Sequence, residues 1–177
     1  LRIGFHVPHA THEDIPALEM LGVIMGSGEA STLYEKVMYE KEMVNGIYAG
    51  SYTPREAGLF MVSADYQLIP EDRREEEPGA SSHVEVMEAI MQEVFTFCNA
   101  EPNEAQVARA RTILESQATY SKQTVEGLAM KIGQFDMVTG DPLYEDTYYE
   151  SLSKVDAAGI KEVARKYLKP ENMTVVL

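Results

Sequence analysis

The chain has 177 residues, 45% of them hydrophobic, with a net charge of −14 and a pI near 4.6. That length suffices for one sizeable core, and the acidic balance argues against nucleic-acid backbones and anionic membranes as partners. No apolar run approaches the roughly 20 residues that span a bilayer, and the single cysteine, Cys98, excludes an internal disulfide framework.

Leu1–Val7 (LRIGFHV) alternates and predicts a strand, with Ile3, Phe5 and Val7 on one side and Arg2, Gly4 and His6 on the other. Pro8 ends it. Asp14 is placed to cap a helix over Ile15–Met25, and Pro16 fits its first turn. The run ALEMLGVIM is apolar almost all round, so this helix is expected to be buried. Ser31 follows a Gly-rich turn and can cap a second helix, where Leu33, Val37 and Met38 fall at helical spacing. Gly46–Thr53 and Gly58–Leu68 then predict a hairpin, with Pro54, Arg55 and Glu56 in its turn.

Ile69–Ser81 is charged, carries Pro78 and Gly79, and predicts a solvated loop. The rest is mainly helical. Ser81 or Ser82 caps His83–Cys98, with Val84, Met87, Ile90, Met91, Val94 and Phe95 at core spacing. Cys98 lies in that apolar stretch and is expected to be a packing residue. Asn103 opens Glu104–Tyr120, whose apolar side holds Val107, Ala110, Ile113, Leu114 and Ala118. A helix over Thr124–Thr139 stops at Gly140. A short helix begins at Asp141-Pro142 and runs through Tyr148 and Leu152. The last starts at Asp156 or Ala157 and reaches Leu168, with Ile160, Val163, Ala164 and Tyr167 inward. Met173–Leu177 is a final strand that must join the sheet. Strands cluster and helices cluster, which is the α+β pattern, most simply in one domain over 1–177. The chain opens and closes on strands, which predicts a piece of something longer.

Few residues suggest chemistry on their own. His9 and His12 stand three apart beside Glu13, a spacing that could bind zinc on a helix. Pro8 and the helix start near Asp14 place them in a turn instead, and no third ligand is apparent. GxGxxG and GxSxG are absent. Carboxylates are too common to single out a pair, and the ten tyrosines read as core or rim.

Several stretches together resemble the insulinase/pitrilysin family of zinc metallopeptidases, of the processing-peptidase-like kind. IGFHVPHATHEDIPALEMLGVIMG looks like the family's opening strand, loop and first helix. GEASTLYEKVMYEK looks like the segment after its Gly-rich turn, and REAGLFMVSADYQ like the second hairpin strand. From NEAQVARARTILES to the closing KYLKPENMTVVL the remainder follows in order. The resemblance implies a mostly antiparallel sheet with helices packed on one face. It also implies a chamber built from paired repeats, one of which carries H-x-x-E-H, its two His binding zinc and its Glu activating water. That motif is absent here, and HATHE has the wrong order, so the chain looks like a zinc-free, non-catalytic repeat, with no metal ligands of its own. Zinc is expected in the catalytic repeat of a parent protein, and the implied partners are that repeat, on the same or another chain, and peptide substrate. In active relatives the zinc-free repeat often supplies an Arg and a Tyr seven residues apart to hold substrate. Without gaps those places are Met38 and Asn45 here, which do not fit; Lys41 and Tyr48 keep the spacing after a three-residue shift and are the candidate substrate-binding pair. An inactive scaffold or peptide-binding subunit of the same family is the alternative.

Overall fold

The computed structural model describes residues 1–67 and 82–177. Four strands, β1 (Arg2–Val7), β2 (Gly46–Tyr52), β3 (Gly58–Asp65) and β4 (Met173–Val176), form one antiparallel sheet in the order β2-β3-β1-β4. The hairpin register sets Ala49 opposite Val62, and β1 joins β3 with Phe5 opposite Phe60. The chain's end returns to pair with its beginning, Ile3 opposite Val175.

The alternation decides which face is buried. Ile3, Phe5, Val7, Ala49, Phe60, Val62 and Ala64 are buried under helices, while Arg2, His6, Tyr48, Tyr52 and Asp65 lie exposed on the other side. Six helices follow the α+β expectation: α1 (Ile15–Gly26), α2 (His83–Asn99), α3 (Glu104–Ser121), α4 (Val125–Thr139), α5 (Tyr144–Ser153) and α6 (Ala157–Tyr167). The charged stretch expected to be a loop, and Leu68 at the end of the expected hairpin strand, lie outside the described residues.

Helix α1 is the centre of the packing. Eleven of its residues are buried, because it has the sheet beneath it and α3, α5 and α6 around it. It approaches β2 unusually closely. A methyl on Gly22 would come to 2.9 Å from the Gly50 Cα, and one on Gly26 would overlap the Ala49 backbone nitrogen. Two glycines four apart thus let a helix backbone rest on a strand backbone.

Capping follows the sequence at most helix starts. Ser82 with Glu85, and Asn103 with Gln106, form reciprocal capping boxes. Thr124 and Asp156 accept from Gly127 and Gly159, and Gly140 ends α4 at φ 79°. Asp14 departs from expectation. It makes no cap bond, and its carboxylate instead accepts from Lys166 Nζ and Tyr167 Oη of α6, both at 2.6 Å. A tertiary pair of charge-assisted bonds outcompetes one local cap. Ser31 also departs from it. Its hydroxyl donates back to the Gly28 carbonyl at 2.6 Å, and the expected helix is mostly a π-helical turn over Tyr34–Tyr39. Wider winding still buries Leu33 and Val37 completely.

One apolar face is rotated from its expected setting. In α2, Val86, Ile90, Val94 and Phe97 are buried, whereas Val84 is 54% exposed. Val84 stands in the first turn of α2, ahead of the residues that reach the core. Cys98 is buried, its thiol 3.6 Å from the Ala164 carbonyl, as a packing residue should be.

Candidate functional site

The turn from Pro8 to Asp14 engages its histidines locally. His9 Nδ1 pairs with Thr11 Oγ1 at 3.1 Å, and His12 Nδ1 accepts from the Asp14 amide at 3.1 Å. The two rings meet edge to face with centroids 5.9 Å apart. Among the described residues no three His, Cys, Asp or Glu side chains converge as a ligand set. Both histidines are thus engaged within the turn itself.

Lys41 and Tyr48 are held differently. The Lys41 ammonium lies 3.0 Å from Glu93 of α2. Tyr48 is 55% exposed on β2, its ring folded over Gly50. Met38 is half-buried against the core, and Asn45 is exposed, its amide donating to the Asp65 carbonyl at 2.7 Å.

Two adjoining cavities run along α1. The larger, about 370 Å³, lies between α1, α3, α4 and α5. The smaller, about 250 Å³, lies between α1, α3 and the free edge of β2, and Tyr48, Gly50 and Ser51 line it. Glu19, Leu114 and Gln117 border both. Glu19 is the one ionisable group at the junction. Helix α1 presents it sideways from an otherwise apolar cylinder, and Tyr148 of α5 donates a hydrogen bond to its Oε2. Desolvation raises the Glu19 pKa; the Tyr148 bond only partly opposes this. Burial and the neighbouring Glu19 push the Tyr148 phenol well above its usual range, and burial takes Tyr149 to about 12. Tyr148 and Tyr149 stack edge to face at 5.0 Å.

A second carboxylate, on α5, is ion-paired with Lys131 of the cleft lining. Glu145 is met by Lys131 at 2.6 Å and by Lys122 at 3.0 Å. Burial opposes its ionisation, but the two lysines outweigh that and lower its pKa. Lys131 also rests 5.9 Å from the Phe135 ring centre and 5.8 Å from that of Tyr149.

Sequence alone does not select Glu19 from 29 acidic residues. The signal that could have marked it is a lone carboxylate in the apolar run ALEMLGVIM. A raised carboxyl pKa has a definite sign for stability. The folded state binds the proton more tightly, so stability falls as pH rises from the ordinary glutamate value near 4.5 through the raised one. Glu19→Gln keeps an acceptor for Tyr148 and removes the ionisation. Its thermal midpoint is expected to exceed that of the parent at pH 7, with the gain shrinking toward pH 4. A gain of equal size at both pH values would contradict the assignment.

Comparison with known proteins agrees with the architecture. Residues 1–114 match the family model of the peptidase M16 inactive domain. No curated protein matches the sequence. Among solved structures, a protease from Helicobacter pylori superposes with TM-score 0.81 at 16% identity, over 97% of this chain and 38% of that one. A candidate zinc protease from Bordetella pertussis Tohama I gives TM-score 0.81 at 16% identity, over 98% of this chain and 89% of that chain. The inactive peptidase domain of a candidate zinc protease from Bordetella parapertussis gives 0.80 at 15% identity, over 98% and 86%. The chain thus spans less than half the length of the first of these and most of the other two.

Proposed function

Since the chain belongs to the peptidase M16 inactive-domain family, we propose that it serves as a non-catalytic domain of a zinc-dependent peptidase. It forms part of the wall of a chamber enclosing peptide substrates. The parent reaction is metal-assisted peptide-bond hydrolysis. Zinc and its water-activating Glu belong to a separate half, on the same or a partner chain, since H-x-x-E-H does not occur in this sequence.

The observation that carries this reading is α4. None of its residues is buried, and Met130 and Met137, seven apart and so on one side of the helix, are 70% and 68% exposed, with Val125 88% exposed in the first turn. Exposed apolar side chains of this size, gathered on one helix that buries none of its residues, support a surface that another protein body covers. The Helicobacter pylori protease, much longer than this chain, has room for such a body. Tyr48 and Lys41 would be the contacts to substrate. Support for Tyr48 is its exposure beside the smaller cavity; the ion pair to Glu93 weighs against Lys41.

Co-expression with the zinc-bearing half of the parent protein tests the proposal. The chain is expected to co-purify with it, and Met130→Glu combined with Met137→Glu to weaken the complex by about a hundredfold or more, as charges forced into an apolar interface do. Unchanged association of that variant would overturn the role given to α4.

The non-fitting Met38 and Asn45 at the Arg/Tyr places favour a second reading, an inactive scaffold or peptide-binding subunit. It predicts an assembled complex that does not hydrolyse peptides.

A further inference from the structure

Glu19 lines the cleft and Glu145 pairs with Lys131 of its lining, but the two carboxylates differ in partners. Glu145 has two lysines. Glu19 has one hydrogen bond, from Tyr148 to Oε2, and no cation among the described residues. Its residue stays partly accessible, and it lines both cavities. The larger cavity is walled by Tyr144, Tyr148, Tyr149, Phe135, Leu114 and Val138. This lining already stabilises one ammonium, that of Lys131, against Phe135 and Tyr149. A partly desolvated carboxylate beside aromatic rings is a strong attractor for a second cation, because rings and carboxylate both offer negative potential where water is scarce. The net charge of −14 adds to that attraction.

We propose that this cleft is a binding subsite for an alkyl-guanidinium or alkyl-ammonium group, such as an Arg or Lys side chain of a peptide. The cationic head pairs with Glu19 Oε1, while Tyr148 holds Oε2. The alkyl stem lies along Leu114, Phe135 and Val138. About 370 Å³ is room for one such side chain and not for a folded partner. Identifying the cation as part of a peptide rests on the chamber-wall reading; the cation chemistry does not.

Among the described residues, the charged group that shares the cavity lining with Glu19 is Lys131 from α4, beside the Tyr144, Tyr148 and Tyr149 phenols from α5; Glu145 enters as the partner of Lys131. Lys131 is committed to Glu145, so the cation adds to Glu19 without displacing it. Pairing favours the ionised form of Glu19, so affinity should rise with pH through its titration.

The probe is n-butylguanidinium, with n-butylurea as its uncharged counterpart, titrated into the 177-residue chain and followed by amide chemical shifts. Saturable shifts are expected at α1, α3 and α5 for the cation and not for the urea. Glu19→Gln, which keeps the Tyr148 bond, should weaken binding about tenfold or more. Tyr148→Phe should weaken it less and shift its pH profile. Equal binding of the urea, or full affinity in Glu19→Gln, would overturn the proposal. Because the titration uses the isolated chain, its failure leaves the association with a zinc-bearing half untouched, and failure of that association leaves this result standing.

Discussion

Gly26→Ala is expected to destabilise the protein by about 3 kcal/mol or more, at the upper end of what an inserted methyl does in a packed interior. The added methyl would overlap the Ala49 amide nitrogen and crowd its Cα and Cβ. Backbone cannot rotate away as a flexible side chain can. Either α1 lifts from β2 or the strand bends. Lifting α1 would disturb the contacts that this helix makes with α3, α5 and α6 at once. The helix-propensity gain of alanine, about 1 kcal/mol, does not offset this. Gly133→Ala provides the control. A methyl there meets nothing within 4 Å, so the same chemical change should be neutral or stabilising by up to about 1 kcal/mol. Denaturant midpoints of the two variants would check the pair. Equal effects would mean that the close approach of α1 to β2 contributes nothing.

Phe60→Ala should cost about 3–5 kcal/mol in the same measurement. Phe60 is fully buried on β3, directly opposite Phe5, which is also fully buried. Truncation leaves a cavity between sheet and helices that no exposed side chain can fill. Leu59, its neighbour on the opposite face, is only half-buried. Leu59→Ala should therefore cost distinctly less. Similar losses at the two positions would mean that the sheet is covered on both faces.

Much of the architecture was legible because it rests on local patterns. The period-two alternation of Ile3, Phe5 and Val7 fixed the buried face of β1 before any neighbour was known. Ser82, Asn103 and Gly140 marked helix ends that the structure keeps. Misreadings arose where a distant residue competed with a local rule. Asp14 has the right type and place for a cap, but Lys166 and Tyr167 claim its carboxylate from the far end of the chain. Ser31 could cap a helix, yet its hydroxyl turns back to Gly28. Val84 sits on an apolar stripe of α2, but the buried arc runs through Val86, Ile90, Val94 and Phe97.

The cleft was not legible for a related reason. Glu19 and Tyr148 are 129 positions apart, and no spacing rule joins them. Ten tyrosines look alike in sequence. Only packing of α5 against α1 selects Tyr148 and its neighbour Tyr149. The glycine pair of α1 was visible as letters, but its meaning depends on β2 lying beneath. Likewise the apolar residues of α4 read as an ordinary helix, and only the packing shows that its outward side meets nothing among the described residues.

The central claim is that this chain contributes a wall and leaves the metal to another half. Its most direct test is zinc analysis and a peptide-hydrolysis assay on the co-purified complex and on the 177-residue chain alone, each dialysed against stoichiometric zinc. The account predicts zinc and hydrolysis in the complex, and neither in the chain alone. Zinc retained by the chain alone at low-micromolar affinity, and lost on replacing His9 and His12 by alanine, would contradict it.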